Sequence, residues 1–501
     1  MIRHLFFAIT LLVAIGIRSS PAPAIPIVLD GDFSDSEQIV VATHDPVDAT
    51  TSIVDFKEVR VTADDRYVYV QADFSRMINI QALTGGTVSL LLDEDNNTAT
   101  GQTVKGVPGI DLVMEMGQGV AVRRYAVSSD KPSDIPLSET GFLFAPRVES
   151  ARFEFRIDRT SSRNAAIKLI AEQNGSRRDE TDQIQVALPP QVVPVAPGPD
   201  DRLPLTDPLA RPDGTAFRVV IWNVAGLPAT DRGRYLRMLA AVDADVVMLD
   251  EADPRRSPET IQGWLDSSMP TSGGWRVVIG QAFQGTMVAV RGQVTKAFDR
   301  LEHPKGSVES LVESFGPDTR PMLRAAISQS GIGTTGALAT IGGRRILTLP
   351  IDLTSGCPYC DARRILETTS IAEAVRGALP RTKPDAVLIG GDFNLVGTRE
   401  PVDVLFRAGL DVDGSALADV RALTLSGRSN ATWRGRRGDR FTAGRLDWLL
   451  FSDSTLEQLG GFVFDTAEIN PFWLKRHRLL KDDSESTSDH LPVVADFRWK
   501  R

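Results

Sequence analysis

Gly444-Arg445-Leu446-Asp447-Trp448-Leu449-Leu450 and, further on, Ser488-Asp489-His490-Leu491-Pro492 each set hard ligands against an apolar strand. Three earlier segments repeat the arrangement: Ile221-Trp222-Asn223-Val224, Val247-Met248-Leu249-Asp250-Glu251, and Gly391-Asp392-Phe393-Asn394. A lone Asp or Asn at a strand end is ordinarily a turn former or cap. The series in this order is the signal. Around these segments strands alternate with helices. Phe217 to Val224 is an apolar strand, Asp231 to Val242 has helical spacing, and Asp245 to Leu249 is a buried-type strand. Asp361 to Leu379 reads as a long helix that Asp361 could cap, and Ala386 to Ile389 and Leu446 to Phe451 read as strands meeting carboxylates. Such alternation predicts an α/β domain with covered sheets.

Taken together, these segments resemble the signature blocks of the endonuclease/exonuclease/phosphatase superfamily, which includes deoxyribonucleases, abasic-site endonucleases, sphingomyelinases and inositol-polyphosphate phosphatases. The match covers residues 217 to 498, and the Asp447 and His490 runs are closest to the abasic-endonuclease and deoxyribonuclease branches. The resemblance implies a four-layer sandwich, two packed β-sheets flanked by helices. It also implies phosphodiester cleavage, which needs a cation, a positioned water and help for the leaving alkoxide. On this reading Glu251, with Asn223 beside it, holds Mg²⁺ or Mn²⁺, hard ions suited to carboxylate and amide oxygens. Asp392 activates the attacking water and Asn394 supports the phosphate. His490 donates to a phosphate oxygen, oriented by Asp447, and Asp489 is a further metal ligand or a supporting carboxylate.

One position departs from the family. The stretch Ile346-Leu347-Thr348-Leu349-Pro350-Ile351-Asp352-Leu353 places Asp352 where many members carry a histidine that assists the leaving group. A carboxylic acid, with a reference pKa of about 3.9, donates a proton at neutral pH only when desolvated or crowded by other carboxylates. Asp352 is therefore read as a raised catalytic acid, a second metal ligand, or the mark of a weakened enzyme. The leading function is a metal-dependent nuclease. The alternatives are a phosphatase or a phospholipase or sphingomyelinase-type hydrolase, and an extracellular binding protein with a decayed catalytic half.

Arg434, Arg436, Arg437 and Arg440 precede the Asp447 strand, and such a cluster grips phosphates bidentately or is a solvated basic loop. Trp433 among them stacks on a base or anchors the loop. Cys357 and Cys360, the only cysteines, stand in Cys-Pro-Tyr-Cys. In an oxidising compartment they read as a small-loop disulfide, with a redox dithiol or half of a zinc site as alternatives. Two thiolates without a companion histidine pair make a poor zinc cage.

The remaining chain bounds the setting. At 501 residues it exceeds one hydrophobic core, and 42% hydrophobic with 24% charged residues is globular. Residues 1 to 24 read as a removed signal peptide: Arg3 and His4 lead an apolar run from Leu5 to Ile17 too short to span a bilayer, and Ala22-Pro23-Ala24 suits cleavage. A secreted or periplasmic protein without a stable membrane span is expected. Residues 25 to 188 alternate and turn, as in Arg66-Tyr67-Val68-Tyr69-Val70-Gln71-Ala72-Asp73-Phe74, predicting a separate all-β sandwich. With Leu29-Asp30-Gly31-Asp32 and the turn Asp93-Glu94-Asp95-Asn96-Asn97, this segment resembles family-9-like carbohydrate-binding modules, which implies an extracellular glycan partner. That acidic turn is either a structural Ca²⁺ site or a solvated turn. Proline-rich residues 189 to 215 form a semi-extended linker, and 216 to 501 the catalytic domain. The net charge of -9 lies mostly before residue 215, which argues against a nucleic-acid-coating protein but leaves room for a hydrolase with a local basic rim.

Overall fold

The computed structural model describes residues 27–48, 52–129, 131–160, 164–190, 206–227, 232–253, 255–280, 285–298, 307–329, 333–356, 360–435 and 438–501. The signal-peptide reading, Cys357 of the Cys-Pro-Tyr-Cys turn, and Arg436 and Arg437 lie outside the described residues. Among the described residues, no helix is long and apolar enough to cross a membrane.

The N-terminal part is an antiparallel sandwich, as its alternating sequence predicts. One sheet runs Val41–His44, Phe56–Ala63, Tyr67–Ile78, Ser150–Asp158, Leu143–Ala145. The other is seven-stranded and centres on Ala165–Gln173, Gly86–Asp93 and Leu112–Gly117. Residues of alternate parity from both sheets meet in one core, where Phe56, Phe74, Phe144, Phe153 and Phe155 pack against Leu90, Met114 and Leu169.

From Phe217 onward the chain builds two further sheets, each with a parallel pair at its centre. In the first, Phe217–Asn223 lies parallel to Val246–Asp250 and antiparallel to Val493–Trp499. In the second, Arg344–Asp352 lies parallel to Ala386–Asp392, which is antiparallel to Asp447–Phe451. The sheets face each other across Val219, Ile221, Met248, Ala337, Leu388 and Leu449. Their other faces are covered by helices Gly233–Val242 and Pro258–Ser268 on one side and by Asp361–Thr382 and Glu400–Arg407 on the other. This is the four-layer sandwich expected. Because each central strand is buried on both faces, it reads in sequence as an unbroken apolar run.

The topology determines where chemistry can sit. Parallel strands end, and their antiparallel neighbours begin, on the same edge, and ligands collect at such carboxyl edges. Asn223, Asp250, Asp352 and Asp392 close the parallel strands there, while Asp447 opens an antiparallel one. Gly391 permits the close approach: its φ is +142°, and a Cβ would stand 2.1 Å from the carbonyl of Ile351.

The long helix starts at Asp361 as expected but differs in its capping and its C-terminal end. Asp361 lies inside its first turn and does not cap it; its carboxylate instead accepts from Arg364 Nη1 at 2.8 Å and from the Thr398 amide at 2.5 Å. The helix runs on to Thr382 through Pro380, and Lys383 ends it in the left-handed conformation.

The sandwich does not hang from the linker alone. The Leu29 amide donates to the Arg428 carbonyl at 3.0 Å, Arg428 pairs with Asp64 at 3.1 Å, and Asn79 Nδ2 donates to the Val396 carbonyl at 2.8 Å. Ile27, Leu29, Tyr67, Tyr69 and Leu143 share an apolar cluster with Ala431. In the catalytic domain these contacts use Arg428 and Ala431, in the segment that leads to Asp447, and Val396, two residues beyond Asn394.

Candidate active site

Strand register places Asp352, Asp392 and Asp447 abreast, one on each of three neighbouring strands. Asn223 and Asp250 are likewise abreast on the facing sheet. The two rows meet at the sandwich edge. Asn223 Nδ2 stands 3.1 Å from Glu251 Oε1 and 3.4 Å from Asp392 Oδ2, so one amide ties the two sheets together. Its Oδ1 accepts from the Ala225 amide at 3.0 Å. Glu251 follows its strand at φ +50°, a conformation uncommon outside glycine, and Asn394 sits at φ +49°. Such local strain concentrates at functional sites.

His490 lies between the carboxylates. Its Nδ1 donates to Asp447 Oδ2 at 2.9 Å, which leaves Nε2 facing Asp392 Oδ2 at 3.6 Å. Burial pulls the imidazole's pKa down, but Asp447 and Asp392 outweigh it and the group ends near 10, protonated at neutral pH. Asp392 is pushed up to about 7, first by burial and then by Asp447 and Glu251, against the lowering effect of His490. Asn394 supports this arrangement: its amide N–H donates to Asp392 Oδ1 and its Nδ2 to the Leu353 carbonyl, both at 2.8 Å.

Asp352 stands in the same row, with both carboxylate oxygens buried and without a hydrogen-bond partner. Burial, then Asp392, Glu251 and Glu367, hold its pKa well above the ordinary range. The turn behind it is tied by hydrogen bonds: Thr354 donates to Glu367 at 2.6 and 2.9 Å, and its carbonyl accepts from Arg364. Asp250, to which the sequence reading assigns no role, joins this row. It is fully buried, both its oxygens lack partners, and burial with Asp352, Asp447 and Asp392 drives its pKa far upward. Local sequence places Asp250 at the strand edge but does not give it a role, since the carboxylates that crowd it, Asp352, Asp447 and Asp392, come from the opposite sheet.

Other expected residues sit on the rim. Asp489 accepts from Trp433 Nε1 at 3.3 Å. The Arg434 amide donates to the Asp489 carbonyl at 3.0 Å, and its guanidinium lies 3.5 Å from Asp465. Trp433, Arg434 and Asp489 line a cavity of about 890 Å³ between the two domains. Trp433 is an anchor: its backbone bridges both Gly444 and His490. Thr432 completes the frame, its Oγ1 accepting from the amides of Leu446 and Asp447 at 3.0 and 2.9 Å.

Oxygen donors crowded at one edge, several of them buried and unpartnered, form a set suited to a hard divalent cation. Asn223, Glu251, Asp392, Asp447 and His490, scattered along the sequence, do converge. In the sandwich a second acidic group converges too. Carboxylate oxygens of Asp93, Asp95 and Asp111 lie within 4.8 Å of one another, and Asp111 is a member the sequence reading did not foresee.

The family model described as "Endonuclease/Exonuclease/phosphatase family" matches residues 220–490, just over half of the chain. Among solved structures, the human Nocturnin catalytic domain with bound sulfate is similar at 16% identity, with 58% of this chain and 97% of that one covered and a TM-score of 0.37. Truncated TDP2 from Caenorhabditis elegans is similar at 16% identity, covering 56% and 97%, TM-score 0.35. A family protein from Bacteroides thetaiotaomicron is similar at 14% identity, covering 56% and 97%, TM-score 0.35. Curated protein sequences contain no match.

Proposed function

The chain belongs to the endonuclease/exonuclease/phosphatase family and is a phosphoric-ester hydrolase, and from that premise we propose an exported, Mg²⁺- or Mn²⁺-dependent phosphodiesterase acting on nucleic acid. The observation that carries this reading is the Asp392–His490–Asp447 chain set beside Asn223, Glu251 and the unpartnered Asp352.

Glu251 and Asn223 would hold the cation, which supplies charge neutralisation at non-bridging phosphate oxygens. Asp392, with a pKa near neutrality, takes the proton of the attacking water. His490 remains cationic against Asp447 and donates from Nε2 to the phosphate, where its charge counters the charge that develops in the transition state. Asp352 is kept protonated by burial and its neighbours and can donate to the departing alkoxide, the task a histidine serves elsewhere in the family. Asp489, held on Trp433, adds negative charge that keeps His490 protonated. Arg434, on the rim, favours a polyanion.

The mature protein incubated with DNA, RNA, sphingomyelin and inositol phosphates is expected to cleave nucleic acid and to stop when a chelator is added. Hydrolysis of lipid or inositol phosphates alone would replace nucleic acid as substrate; no hydrolysis of any would sink the reading. An N-terminus at Ile25 in exported material is the check on the leader.

In the sandwich we propose a structural Ca²⁺ on Asp93, Asp95 and Asp111. Asp93 Oδ2 is buried without a partner, and burial raises Asp111 to about 6. At a hundredfold excess over Kd, Ca²⁺ would stabilise the protein by about 2.7 kcal/mol. Calorimetry showing no heat of binding, or the same heat with Asp111→Asn, would remove this site.

A further inference from the structure

Arg147 belongs to the sandwich and follows the strand Leu143–Ala145. It is buried where the two domains meet, and among the described residues no carboxylate pairs with it. Burial alone pulls its guanidinium down to about 9. A buried cation without a counter-charge is costly, so its surroundings must offset the loss of water. Those surroundings come from the catalytic domain. Arg147 donates to the carbonyl of Thr442 and, at 3.4 Å, to the Thr442 hydroxyl. Its guanidinium lies over the ring of Trp433 at 4.9 Å and near that of Phe441 at 5.9 Å.

Trp433 is in turn joined to the site. It exchanges backbone hydrogen bonds with Gly444 at 2.9 Å, bridges His490, and donates from its indole to Asp489. The neighbouring Thr432 carbonyl accepts from the Leu491 amide at 2.6 Å. Gly444 leaves room for the arginine: a Cβ there would meet Arg147 Cδ at 2.4 Å, and its next nearest atoms are also Arg147 side-chain atoms.

We propose that Arg147 is a positioning residue for the His490–Asp447 pair, seating Trp433 and thereby fixing the loop from which His490 reaches Asp392. The N-terminal sandwich thus completes the active site. This rests on the reading of His490 given above, although half of its test does not.

The full chain is compared with Arg147→Ala, Gly444→Ala and the double variant. On bis-para-nitrophenyl phosphate, Arg147→Ala should lower kcat by about tenfold to a hundredfold, the scale of small misplacements, with KM within about twofold of wild type. Hydrogen exchange should speed up at the Trp433, Gly444 and Leu491 amides and stay unchanged in the strands Phe217–Asn223 and Gly86–Asp93. Gly444→Ala should reproduce both effects, since it displaces the guanidinium from the other side, and should add little in the Arg147→Ala background.

Unchanged kcat and exchange in Arg147→Ala, or a full additional cost of Gly444→Ala on top of it, would overturn the proposal. If Arg147→Ala accelerates exchange throughout the chain, Gly444→Ala, which keeps the arginine, decides the matter by the same two readouts. A wild-type protein that hydrolyses no phosphodiester would defeat the proposed function alone, and the exchange pattern would still test the positioning.

Discussion

Asp392→Asn is expected to lower kcat on a phosphodiester by about 10²- to 10⁴-fold, the range general-base catalysis contributes. The substitution is nearly isosteric. Oδ1 can still accept from the Asn394 amide, so the loop carrying Asn394 keeps its support. What disappears is the only group in the row that combines a pKa near 7 with contact to both Asn223 and His490. KM should move little, because an interaction made mainly in the transition state lowers kcat and kcat/KM together. His490→Asn should cost a comparable factor, and the two changes together should cost much less than their product, since the residues act as one unit. Steady-state kinetics with Asp392→Asn within about threefold of wild type would remove Asp392 from the mechanism. A fully multiplicative double variant would separate it from His490.

Most of this architecture can be read from the chain because the ligands sit where strand chemistry changes. Ile221-Trp222-Asn223 and Leu249-Asp250-Glu251 turn from apolar to polar within one residue, and that change locates the sheet edge without any knowledge of pairing. Roles are less legible. Asp250 precedes the obvious Glu251 and looks like a turn former, and its status comes from Asp352, Asp392 and Asp447, all on the opposite sheet. Asp111 is hidden for the same reason: it joins Asp93 and Asp95 only once Leu112–Gly117 pairs with Gly86–Asp93. The helix begins at Asp361 as its spacing predicts, but the capping role that this residue's composition suggests is not taken up, because its carboxylate is engaged by Arg364 and Thr398. Least legible is the joint between the domains. Arg147 carries no motif, and its burial against Trp433 depends on how the two sandwiches dock.

The excess of carboxylates over cations at the site predicts how stability should follow pH. In the absence of divalent cation, raising the pH from about 4 to about 8 should lower the Tm of the catalytic half by roughly 5 to 10 °C, and Mg²⁺ or Mn²⁺ should restore most of it. For Asp392 the folded-state pKa, about 7, lies above the ordinary carboxylate value. The folded protein therefore holds that proton more tightly than the unfolded chain. Stability from this source is complete below about pH 4 and drains away as the pH rises to about 7, on the order of 4 kcal/mol for this group. Asp250 and Asp352, also raised, act in the same direction. His490 does not oppose them. Its raised pKa contributes stability that is full below its unfolded value of about 6.5 and is lost toward 10, so it too favours the acid side. A cation bound to the ionised carboxylates reverses the sign, because it stabilises the deprotonated folded form that alkaline pH otherwise disfavours. Asp250→Asn separates this account from general surface charge. The substitution removes a buried carboxyl with no hydrogen-bond partner, so the cation-free protein should melt higher at pH 8 and gain less from Mg²⁺. Differential scanning calorimetry over this pH range decides it. A cation-free Tm that is flat between pH 4 and 8, or one that climbs, would mean the row is neutralised by some other means and that the cation assignment is wrong.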